Sequence, residues 1–178
     1  MKYRLIPLLE SSYKDSDWIK PIFNKVKKFY KDKLKVDLSH MKLQFTNKRY
    51  NEDGTIKTNV PNNRPEKGPG DWTEKGIIYI RPNQMNVETQ HMDDMHRNRY
   101  AAQVIAHELA HECLHNDLLD IRKKGIPLTK TKYALSFKQG SDEYKEELYA
   151  DSLGNYIARQ MYKGYSENFD LDYLSKFY

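Results

Sequence analysis

The sequence predicts an α+β fold in a single domain over residues 1–178, with an N-terminal packing helix, a small mostly antiparallel sheet and two long helices in the C-terminal half. Three observations predict it. Apolar residues recur at three-and-four spacing from Ile19 to Leu34, short apolar runs fall between Met41 and Ile80, and good helix formers dominate from about Met95 to about Asp120 and again after Ser141. A chain of 178 residues can bury a real core without staples and is too short for two comfortable domains.

Asp17 is placed to cap the first helix, whose inner face is Ile19, Ile22, Phe23, Val26, Tyr30 and Leu34 and whose outer face is lysine. Pro21 falls in the first turn, where its missing N–H is not needed. Met41, Leu43 and Phe45 alternate with polar partners, which is strand periodicity. The turn residues Asn51-Glu52-Asp53-Gly54 then predict a hairpin to a second strand at Thr55–Val60. Residues 61–76 are rich in proline, glycine and asparagine and read as a surface loop. Ile77–Ile80, ended by Arg81-Pro82, reads as another strand. Asp93 and Asp94 favour a helix start. Gly125 and Pro127 break the pattern, and Leu128–Phe137 suggests an inserted hairpin. Ser141-Asp142 caps a last helix running to Lys163-Gly164, and the aromatic tail to Tyr178 is expected to pack back on the domain.

The composition bounds function. Hydrophobic residues make up 38% and charged residues 31%, with a net charge of +5, so a thin core lies under a highly charged surface. The lysines between Lys20 and Lys35 lack interleaved base-stacking aromatics, which favours a solvated helix face over a nucleic-acid surface. The single cysteine, Cys113, excludes an intramolecular disulfide and a cysteine-rich zinc module; it reads as buried apolar filler. The Leu-Ile-Pro-Leu-Leu run is too short for a signal sequence, and no run approaches membrane-spanning length, so a cytoplasmic protein is expected.

Ala106-His107-Glu108-Leu109-Ala110-His111 contains HExxH inside a helical segment. Residues four apart lie one turn apart on one face, so His107 and His111 can address one ion. Glu108, rotated by about 100°, stands beside it as general base. With 6 His and 11 Glu in 178 residues, random placement gives roughly 0.01 such strings, so coincidence is a minor explanation.

A catalytic zinc takes three protein ligands and leaves a position open, which demands a further donor. Glu147 on the last helix is the candidate, with Asp151 one turn later to accept the N–H of a ligating histidine. Glu146 is the rival, about 100° around the same helix; only Glu147 has a carboxylate at i+4. His115 continues the series, but about 12 Å of axial rise separates it from His107, so a core or supporting hydrogen bond is its expected role. His40, His91 and His96 read as isolated surface or core histidines.

At HELAHECLH followed by EELYAD the sequence resembles the gluzincin zinc peptidases, and within them most the ImmA/IrrE type, which carries HELGHxxLH on one helix and an acidic ligand on the next. Ala110 stands where that family commonly has glycine, and no helix-turn-helix or regulatory domain is apparent. The resemblance implies a zincin-like domain and one catalytic Zn2+ on His107, His111 and Glu147. It implies a protein or peptide substrate, hydrolysed by an activated water with Glu108 as base and held along Ile77, Ile78, Tyr79 and Ile80 as an added strand. Two rival functions share the same metal site: a non-proteolytic zinc-binding regulatory domain, and a DNA-associated peptidase resembling the SprT-like group.

Overall fold

A computed structural model describes residues 16–57 and 69–163. The expectations for the first fourteen residues, for Thr58–Val60 and for the aromatic tail lie outside them. The described fold is α+β. Helix α1 (Ile19–Phe29) continues as a π-helical turn (Tyr30–Leu34). Strands β1 (Lys42–Phe45), β2 (Gly70–Thr73) and β3 (Ile77–Ile80) follow, then α2 (Pro82–Thr89), α3 (Asp94–His115), the one-turn α4 (Lys132–Leu135) and α5 (Asp142–Met161).

All six residues read as the inner face of α1 are buried: Ile19, Ile22, Phe23, Val26, Tyr30 and Leu34. They pack against α3, where the Tyr30 hydroxyl donates to the Ala106 carbonyl at 2.8 Å. Asp17 is not the cap; Trp18 holds that position without a side-chain bond, and Asp17 pairs with Lys20 at 2.9 Å. On the outer face Lys20, Lys25, Lys28, Lys31, Lys33 and Lys35 are exposed. Lys27 instead donates to the Met41 carbonyl at 2.9 Å.

The sheet corrects four expectations. It is mixed, in the order β1-β3-β2, with β1 parallel to β3 and β2 antiparallel to it. The Asn51–Gly54 turn forms but leads to a single bridge, Tyr50 to Ile56. The partner of β1 is therefore β3, reached by a long crossover of the kind parallel strands require. The stretch read as a loop contains β2, whose four residues are all buried. Ile77, Ile78, Tyr79 and Ile80 form the central strand, hydrogen-bonded on both sides, so their backbone cannot take a substrate as an added strand.

The helices largely follow their local signals. Asp93 caps α3 by accepting the His96 N–H, and Ser141 caps α5 by accepting the Tyr144 N–H. Helix α3 ends at His115, earlier than expected, in a Schellman motif. Leu118 N–H bonds the Cys113 carbonyl and Asp117 N–H the Leu114 carbonyl, with Asp117 at φ 50°. The expected hairpin over Leu128–Phe137 is instead a segment containing α4, and α2 has no counterpart in the sequence reading.

Helices α3 and α5 make the most extensive contact in the fold and run antiparallel. Gly154 abuts Gln103 and His107, Asp151 meets His107, and Glu146 meets His111. Ala102, Ala106, Ala110, Ala150 and Ala158 are fully buried, and small side chains of this kind let two helices approach closely. No described helix is long and apolar enough to cross a membrane.

Candidate metal centre

His107 and His111 lie one turn apart on α3 and face α5. Their Nε2 atoms are 3.2 Å apart, and Glu147 Oε2 lies 3.3 Å from His107 Nε2. Together His107, His111 and Glu147 offer donor atoms within 4.8 Å of one another, and no other acidic, histidine or cysteine donor joins this group among the described residues. The structure thus brings the three expected ligands together.

The hydrogen bonds around these groups decide what can sit between them. Asp151 Oδ1 lies 2.9 Å from His107 Nδ1, and Glu146 Oε1 lies 2.9 Å from His111 Nδ1. A carboxylate can only accept, so each Nδ1 carries a proton, and a ring that is neutral presents Nε2 as a lone pair. Glu147 Oε2 is buried without a hydrogen-bond partner among the described residues. The two Nε2 atoms and Glu147 Oε2 therefore converge, and either a proton on His107 or a metal ion can sit between them.

Two of the donor spacings also suit a metal ion. Tetrahedral coordination with bonds of about 2.0–2.1 Å puts neighbouring donor atoms about 3.3 Å apart, against the 3.2 and 3.3 Å found here. Two imidazoles and a carboxylate form a donor set of the kind that would hold zinc. The residues fit the group.

A proton is the competing occupant. Burial opposes charging of His107, but the Asp151 and Glu147 carboxylates overcome it and hold the imidazole well above its usual value. Metal uptake must displace that proton. In the chain without metal, the stabilisation from charged His107 is complete below an unfolded-state value of about 6.5 and is lost as pH rises through the elevated folded value. Thermal melts across this window should show the metal-free chain weakening with rising pH and added zinc stabilising it progressively more. A zinc effect that shrinks with rising pH would contradict the protonation assigned to His107.

Glu108 points to the other side of the same turn and is buried. Burial pushes its carboxyl above the ordinary range; His107 and His111 draw it back, while Asp71 and Glu147 add to the push. Its carboxylate lies against Gly70 of β2, where a Cβ would stand 2.5 Å from Glu108 Oε1. Only glycine leaves room for this side chain.

Several supporting residues were not anticipated from sequence. Glu146, the rival ligand, sits on Nδ1 of His111, away from the converging atoms. The Thr131 hydroxyl donates to Asp151 Oδ2, so Asp151 is held from the side opposite His107. Buried Glu112 accepts from Trp72 Nε1 at 2.9 Å and lies 2.9 Å from His40 Nε2, while the Trp72 ring stacks 6.0 Å from His111. His115 is half-exposed beside Glu74 and is not a core residue. His96 pairs locally with Asp93, and His91 is exposed. Cys113 is fully buried, and burial pushes its thiol to about 12, which fits apolar filler. The HExxH spacing located His107 and His111, and Glu147 and Asp151 were legible on the last helix; Trp72 of β2 and Thr131 before α4, which lie against His111 and Asp151, carry no such motif.

No protein-family model, curated protein or solved structure matches the chain.

Proposed function

We propose that this chain is a zinc-dependent endopeptidase with a zincin-like domain, similar to the ImmA/IrrE type of gluzincin. The observation that carries the reading is the convergence of His107 Nε2, His111 Nε2 and Glu147 Oε2 beside a buried carboxylate that is not one of them. When bound there, zinc acidifies a water and polarises a carbonyl. Glu108 takes a proton from the water as its oxygen attacks the peptide carbonyl, and delivers that proton to the amine nitrogen as the C–N bond breaks. A structural site would be closed by a fourth protein ligand and would have no use for this carboxylate, which favours the enzyme over the regulatory domain.

The edge strand beside Glu108 is β2, which, like β1, pairs with β3 on one side only among the described residues. The bond from Arg81 N–H to the Pro69 carbonyl sets the alternation, so Gly70 and Trp72 turn their backbone groups away from β3. Arg81 Nη2 already donates to the Gly70 carbonyl.

The decisive experiment is metal analysis of the purified chain together with a peptide-cleavage assay. One zinc per chain is expected, with cleavage abolished by chelation and restored by zinc, and His111→Ala should lose both metal and activity. Substoichiometric metal in the wild type, or full occupancy in the variant, would remove the basis of the proposal. Gly70→Ala should cut cleavage at least tenfold with little loss of stability. The added methyl displaces the flexible end of Glu108 and leaves the backbone in place. Unchanged cleavage by a folded Gly70→Ala chain would show that the contact with Glu108 does not matter.

A further inference from the structure

We infer that Glu146 is a positioning residue for His111, fixing the proton on Nδ1 so that Nε2 faces the metal; the inference rests on the metal reading above. His107 and His111 are separated by four residues on α3, about 6 Å of rise, and Asp151 and Glu146 by five residues on the antiparallel α5, about 7.5 Å. The two spacings are close enough for both carboxylates to meet both imidazoles at once. Each contact is 2.9 Å long and made to Nδ1. One helix thus supplies a ligand, Glu147, and a support on either side of it in sequence.

Glu146 is no alternative ligand, because its carboxylate and the converging atoms lie on opposite sides of the His111 ring. Without Glu146, His111 has no acceptor at Nδ1 to hold the proton there. The proton can then move to Nε2, the atom the metal needs, and binding must first reverse that tautomer. The two supports differ in firmness. The Asp151 side chain is 11% exposed and also bonded by Thr131, whereas Glu146 is 34% exposed and swings more freely. Losing Glu146 should therefore cost less than losing Asp151, within the about 10- to 100-fold that such partners typically contribute to metal affinity.

The test is zinc affinity by chelator competition, paired with nitrogen NMR of the imidazole tautomers in the chain without metal. Glu146→Ala should weaken zinc about tenfold and move the His111 proton from Nδ1 towards Nε2. Glu146→Gln, which keeps an oxygen acceptor, should restore both. Glu143→Ala, an exposed carboxylate on the same helical turn, should change neither. If Glu146→Ala leaves the His111 tautomer where it is in the wild type, the inference fails, whatever happens to affinity. If the wild type takes up no zinc, the metal reading fails, and the tautomer comparison still decides the role of Glu146.

Discussion

Glu108→Gln is expected to lower peptide cleavage by about 100- to 10,000-fold, the range lost with a general acid–base group, while zinc content stays at the wild-type level. The separation of effects follows from position. Glu108 is next to His107 in sequence but points about 100° away from it, towards Gly70 of β2, and is absent from the set of converging donors. Glutamine has the same shape and fills the same space against Gly70, so neither the fold nor the ligands need adjust. It cannot accept the proton of the attacking water. Metal analysis and single-turnover cleavage on the same preparation would check this. A variant that keeps zinc and cleaves at the wild-type rate would show that another group is the base.

How much of this was legible in the sequence depends on how local each signal is. The buried face of α1 was readable because six apolar residues repeat with the helical period. The starts of α3 and α5 were readable because Asp93 and Ser141 cap within three residues of themselves. The end of α3 was not, because the left-handed position is held by Asp117 where a glycine would have announced it. Strand β2 hid inside a Pro/Gly-rich stretch because its four residues are buried on both faces and do not alternate. Pro82 was read as the end of β3 and is also the first residue of α2, the two roles being compatible with one ring.

The site divides the same way. Two imidazoles and a base on one helical turn are a local pattern, and HExxH states it outright. Which strand faces Glu108 depends on how the β2–β3 pair docks on α3, which brings Gly70 against a residue far along the chain, and no local window of sequence contains it. The resemblance places the substrate along β3, the strand that precedes the HExxH helix, but β3 is strongly apolar. That same character puts it at the centre of the sheet, with both edges satisfied.

Gly154→Val is expected to destabilise the fold by about 1–3 kcal/mol, the usual range for overpacking, and to weaken zinc binding through the ligand helix. A Cβ at Gly154 would lie 2.9 Å from the Gln103 carbonyl oxygen and 3.2 Å from both Cβ and N of His107. Those are backbone and helix-root atoms of α3, which cannot swing aside as the end of a side chain can. Alanine would be a poor probe, because its gain in helix propensity, about 0.8–1 kcal/mol over glycine, offsets part of the clash. Valine gains less from propensity and adds two further methyl groups at the tightest point. Relief must come from α5 moving away from α3, and α5 carries Glu147, Asp151 and Glu146. A shift of a few tenths of an ångström there stretches the 3.3 Å approach of Glu147 to His107. Melting temperature with and without zinc would show it: the variant should melt lower than the wild type, and the stabilisation by a fixed zinc concentration should shrink, since that increment tracks affinity. A variant with a lower melting temperature but an undiminished zinc increment would mean that the helix contact serves stability alone, and that the carboxylates reach the imidazoles without it.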